Sequence, residues 1–122
     1  MIAMPELIPP GLLEQLLAAG RRRDDDPVPV LKIFAPDGGA TWLICELGDD
    51  RDTMFGLCDL GVGDPELGYV SLAEIVDVRG GLGLQVERDL YWKPKHPISV
   101  YATAAREAGR IVDEPQVPES KP

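Results

Sequence analysis

The chain has 122 residues, 44% of them hydrophobic and 27% charged, the size and make-up of one globular domain with one core. Thirteen glycines and twelve prolines exclude a bundle of long helices. A net charge of -9 repels the phosphates of nucleic acid, so direct nucleic-acid binding is not expected.

The first element reads as a helix. Pro9 and Pro10 suit an N-terminal turn, and Leu12, Leu13, Leu16 and Leu17 form one apolar stripe. Gly20 is the expected stop, and Arg21 to Pro27 is a charged connector. Val28 to Ala35 and Thr41 to Gly48 read as strands joined at Pro36–Gly39, where Asp-Gly permits a tight hairpin turn. After the loop Asp49 to Thr53, Met54 to Gly61 reads as a third strand and Val62 to Gly68 as a loop. Ser71 and Glu74 have the spacing of a capping box, which predicts a short helix ending by Gly80. Leu84 to Trp92 mostly alternates apolar with polar, as a half-buried strand does. Ile98 to Gly109 reads as the last helix, with Gly109 as its stop. The expected fold is α+β: a small, mainly antiparallel sheet of about four to five strands with N-terminal, short central and C-terminal helices. Residues 1–112 would form the single domain, and the Pro-rich segment 113–122 a disordered tail.

No apolar run nears the roughly 18 residues of a membrane span, and no signal peptide is visible. A cytoplasmic protein with no membrane contact is expected. Cys45 and Cys58 sit in apolar strands and read as free buried thiols.

Continuous stretches resemble the bacterial family DUF2958, a domain of unknown function. They are LIPPGLLEQLLAAGRRRDDDPVPVLKIFAPDGGATWLICEL, FGLCDLGVGDPELGYVSLAEI and RDLYWKP. The resemblance implies a single-domain protein of plasmids, integrative elements and phages, coded near conjugation and anti-restriction genes. It implies no activity, cofactor or catalytic residue.

The chemistry-bearing residues are sparse. His96 is the one histidine, and neither Ser71 nor Ser99 has a nucleophile-elbow context. No zinc, calcium or phosphate-loop spacing is complete, so no metal, no cofactor and no catalytic residue is assigned. Glu46 and Asp59 stand at echoing positions in ICELG and LCDLG. With Tyr91 and Trp92 they are the candidates for a pocket. The charge is lopsided. Residues 24–78 hold thirteen acidic side chains against Lys32 and Arg51, a net -11, while the flanking segments are nearly neutral. This middle segment is expected to present an acidic face to a basic protein partner, with Asp49, Asp50, Asp52, Asp64 and Glu66 as contact residues. The reading is a non-catalytic interaction protein of a mobile element that blocks a host defence protein. The alternatives are a small enzyme using strand-end carboxylates and a ligand-binding regulatory module. Oligomeric state is left open.

Overall fold

Pro10 starts helix α1, which runs Pro10–Arg22 in the computed structural model; the structure describes residues 7–115. Leu16 and Leu17 are buried on the sheet, with Leu12 and Leu13 at their side. Gly20 does not stop this helix. The Leu47 carbonyl oxygen lies 2.3 Å from where a Gly20 Cβ would stand, so the glycine lets helix and strand backbones touch. The helix ends at Arg23, in the left-handed region at φ 54°, whose N–H donates to the Ala19 carbonyl.

Five strands follow: β1 Leu31–Phe34, β2 Thr41–Leu47, β3 Thr53–Asp59, β4 Glu66–Ser71 and β5 Glu87–Arg88. Their order in the sheet is β4-β3-β2-β1-β5, and every pairing is antiparallel. Helix α2 (Leu72–Val76) follows β4, and α3 (Ile98–Ala108) follows β5. The fold is α+β with the three helices where the sequence places them.

The sheet is covered on both faces. Leu31, Ile33, Trp42, Ile44, Leu47 and Met54 share one core cluster with α1 and with Leu72 and Ile75 of α2. Leu43, Cys45 and Leu57 share the other with Ile98, Tyr101, Ala102 and Ala105 of α3. Two-sided burial explains why β2 is apolar along nearly its whole length instead of alternating.

Two strand readings need correction. Glu66–Ser71 is a strand of six residues, although Val62–Gly68 reads as a loop. Its outer position leaves it half exposed, so it lacks the apolar density of β2. Leu84–Trp92 forms a strand only at Glu87 and Arg88, with one more backbone bond to β1 from the Asp89 N–H to the Lys32 carbonyl. The Asp89 carboxylate accepts the N–H groups of Tyr91 and Trp92, which turns the chain out of the sheet. Leu84 and Leu90 are consequently exposed.

Gly109 does end α3, at φ 74°. The chain then crosses the sheet. Ile111 donates its N–H to Asp59, Asp113 pairs with Lys32 of β1, and Pro115 is buried. Thus the first residues of the expected tail lie against the domain, and residues 116–122 fall outside the described residues. Among the described residues, no helix is long and apolar enough to cross a membrane.

Candidate functional site

The five acidic residues expected to form one face do not lie together. Asp49, Asp50 and Asp52 belong to the β2–β3 turn, whereas Asp64 and Glu66 lie at the opposite end of β4. Asp50 is spent on the turn: its carboxylate accepts from the Asp52 and Thr53 amides and the Thr53 hydroxyl. The Thr53 hydroxyl bond first, and then the two amides, hold its pKa below the usual carboxylate range. Asp52 accepts from the Ser71 hydroxyl and the Ala73 amide, tying the turn to the start of α2. Ser71 in turn accepts the Glu74 N–H at 3.3 Å, the cap its spacing predicts. Asp49 faces Arg21 at 3.3 Å.

Three arginines, Arg21 to Arg23, close α1. α1 delivers Arg21 to Asp49, Arg22 to Asp24 and Arg23 to the Tyr69 hydroxyl. Of the three, Arg21 alone reaches the acidic turn; Arg22 pairs within the connector and Arg23 lies against β4.

A second acidic segment adjoins this turn through α2. Residues 64–77 contain Asp64, Glu66, Glu74 and Asp77 and no lysine, arginine or histidine. All four carboxylates are exposed. None makes an ion pair among the described residues. This rim, formed by β4 and α2, also exposes Leu67 and Tyr69. Phe55 of β3 supports the Tyr69 ring at 5.2 Å between centroids. Asp64 and Glu66 were legible in the sequence; Glu74, Asp77, Leu67 and Tyr69 join them only because β4 is a strand and α2 follows it.

The four pocket candidates separate into three places. Asp59 pairs with Thr41 at one end of β2, and Glu46 pairs with Phe55 near the other. They form no carboxylate pair. Asp59 is 2% exposed, and its oxygens accept the Gly61 and Ile111 amides. Glu46 lines a shallow cleft of about 220 Å³ with Arg23, Asp24, Asp25, Phe55 and Tyr69. The ICELG and LCDLG echo does not bring the cysteines together: with Trp42 opposite Cys58 and Leu43 opposite Leu57, strand alternation sets Cys45 against α3 and Cys58 against the opposite cluster.

Tyr91 and Trp92 do share a cleft, of about 290 Å³, with Asp89, Lys93, Lys95, Asp113 and Glu114. Lys32 lies behind it, salt-bridged to Asp89 at 3.2 Å and also to Asp113. Burial pushes the Asp89 pKa up, but the Tyr91 amide, Lys32 and the Trp92 amide outweigh it and hold the carboxyl low. Glu114 reaches Lys95 at 3.4 Å. The charges of this cleft are thus matched within the chain.

Nucleophilic chemistry finds little support. The Cys45 thiol is pushed up to about 12 by burial and by the nearby Glu46 and Asp26 charges. Burial pushes Cys58 up to about 11. Cys45 Sγ donates to the Pro27 carbonyl at 3.8 Å, while His96 lies against the Tyr101 ring. Among the described residues no three His, Cys, Asp or Glu side chains converge as metal ligands.

A family model described as a protein of unknown function, DUF2958, matches residues 7–112. The chain belongs to the DUF2958 family. Comparison with curated proteins and with solved structures gave no match. The matched span takes in every strand and helix described above, the β4–α2 rim included.

Proposed function

We propose that this DUF2958 protein is a non-catalytic binding protein of a mobile genetic element, acting in the cytoplasm on a basic protein partner. Its role in this reading is counter-defence: it occupies the basic cleft of a host protein that would otherwise act on incoming nucleic acid. The observation that carries the reading is the β4–α2 rim: segment 64–77 has four exposed carboxylates and no cation within it, Arg23 and Arg79 lie at its borders, and Leu67 and Tyr69 are exposed on the other face of β4. Such a surface steers a basic partner by long-range attraction and then holds it by apolar contact. The mobile-element setting rests on the resemblance described under Sequence analysis.

The reading is favoured over an enzyme by what the turn and strand-end carboxylates do. Asp37, Asp50, Asp52, Asp59 and Asp89 all accept backbone N–H groups and thereby hold turns and caps. A ligand-binding module is the second reading. It draws on the Tyr91–Trp92 cleft, where Trp92 Nε1 is buried with no hydrogen-bond partner among the described residues.

Affinity capture from a host lysate tests the proposal, with mass spectrometry of what elutes. The wild-type protein is compared with a variant carrying Asp64→Lys, Glu66→Lys and Asp77→Lys. The expected result is a small set of basic proteins retained at low salt by the wild type and lost by the variant. Captured proteins no more basic than the lysate, or retained equally by both baits, would contradict it. Asp49→Lys serves as the comparison, because Asp49 already faces Arg21, and it is expected to change capture little. Asp50 and Asp52 are unsuitable for reversal, since both hold the turn itself.

A further inference from the structure

An antiparallel strand at the border of a sheet leaves every second residue's N–H and C=O without a strand partner. Both borders of this sheet carry such groups. β5 is only two residues long, which limits what can pair with it. β4 is different. It stands at the other border and pairs with β3 over six consecutive positions, Thr53↔Ser71 through Cys58↔Glu66, without a bulge. Proteins commonly guard an open edge with lysine, proline or a bulge. β4 has none of these between Glu66 and Ser71.

The two faces of β4 differ. Leu67 and Tyr69 lie on the α3 side, in register with Leu57 and Phe55, and are 36% and 60% exposed. Glu66, Gly68 and Val70 lie on the α1–α2 side, in register with Cys58, Gly56 and Met54. A Cβ at Gly68 would meet nothing within 4 Å, so open space lies over the middle of that face. Glu74 and Asp77 of the adjoining α2 segment add two more exposed carboxylates.

We infer that β4 is a docking edge: an extended segment of the basic partner adds to it as a sixth strand. This rests on the basic-partner reading and deepens it. The segment would alternate, because successive side chains point to opposite faces of a sheet. Lysine or arginine falls on the side of Glu66, Glu74 and Asp77, and apolar residues fall beside Leu67 and Tyr69. Main-chain hydrogen bonds supply affinity, and the alternating side chains supply specificity. A second copy of this chain fits the edge less well. Each copy carries a net charge of -9, and self-pairing would bring two 64–77 segments together, each with four carboxylates.

The test titrates the isotopically labelled full chain with a capped heptapeptide, lysine at its odd positions and valine or threonine between. Two further peptides keep every side chain but carry N-methyl groups on one or the other alternating set of residues. The expected result is that the parent peptide shifts the amides of 66–71 most and slows their exchange. One N-methylated set, the one whose N–H groups face β4, should bind about tenfold or more weaker, and the other should bind like the parent. Glu66→Lys should weaken the parent peptide. Equal binding by all three peptides, with shifts at the carboxylates alone, overturns strand addition and leaves the basic-partner reading standing. Absence of binding by the parent also overturns strand addition, and the basic-partner reading is then judged by capture. Sedimentation of the protein alone closes the test: a dimer with the 66–71 amides protected would assign the edge to a second copy and overturn the proposal.

Discussion

Gly56→Ala should destabilise the protein by about 3 kcal/mol or more, the upper range for forcing atoms into a packed interior. A Cβ at Gly56 would stand 2.0 Å from the Leu43 carbonyl oxygen and 2.9 Å from the Ile44 Cα. Both are backbone atoms of β2, so no side chain can rotate away. Relief requires β2 and β3 to part at the point where the register shifts between Ile44 and Glu46. Those strands carry Leu43 and Leu57 toward α3, and Ile44 and Met54 toward α1, so parting them loosens both core clusters. Thermal unfolding should show a midpoint lowered by about 10 °C. Gly68→Ala, also on a strand but facing open space, should change the midpoint little. Equal effects from the two would contradict the packing described here.

Asp59→Ala should cost about 2–4 kcal/mol, because it leaves two amides without their acceptor, that of Ile111 in a buried setting. Asp59 joins parts of the chain far apart in sequence. One oxygen accepts the Gly61 N–H at 2.8 Å and stops β3; the other accepts the Ile111 N–H at 3.0 Å and seats the segment that leaves α3. Asp59→Asn keeps the shape and one acceptor but turns an NH₂ toward the other amide, so it should recover only part of the loss. Denaturant unfolding gives the free energies, and hydrogen exchange at the Ile111 amide reports the local release. A loss below about 0.5 kcal/mol with Ile111 still protected would show that the carboxylate is dispensable.

Much of the architecture could be read locally. The leucine stripe with Pro10 marks α1, Asp37-Gly38 marks the first hairpin, and Ser71 and Gly109 mark the ends of helices. Each of these signals spans only a few residues. What escaped the sequence depends on contacts across the fold. Gly20 looks like a helix stop until Leu47 is seen against it. β4 looks like a loop because an edge strand with Gly68 at its middle needs little apolar content. Asp50 and Asp52 look like a charged surface, yet they hold the turn and the start of α2. Charge summed by segment left the arginines in a nearly neutral N-terminal stretch and the net charge in the middle of the chain. Arg21 reaches Asp49 across 28 positions and Arg23 reaches Tyr69 of β4 across 46, so the fold distributes the arginines over acidic segments that a sum along the chain keeps apart from them.

The most direct test of the acidic rim is the rate at which the purified captured partner associates with it. Rapid-mixing kinetics would compare the wild type with the Asp64→Lys, Glu66→Lys, Asp77→Lys variant between about 0.05 and about 0.5 M salt, a range that shrinks the Debye length to roughly 4 Å. Steering by the rim predicts fast association at low salt that slows steeply as salt rises, with dissociation changed far less. The variant should begin slow and respond little to salt. Equal association rates for the two proteins across the whole range would contradict the account, and the charge of the rim would then serve solubility alone.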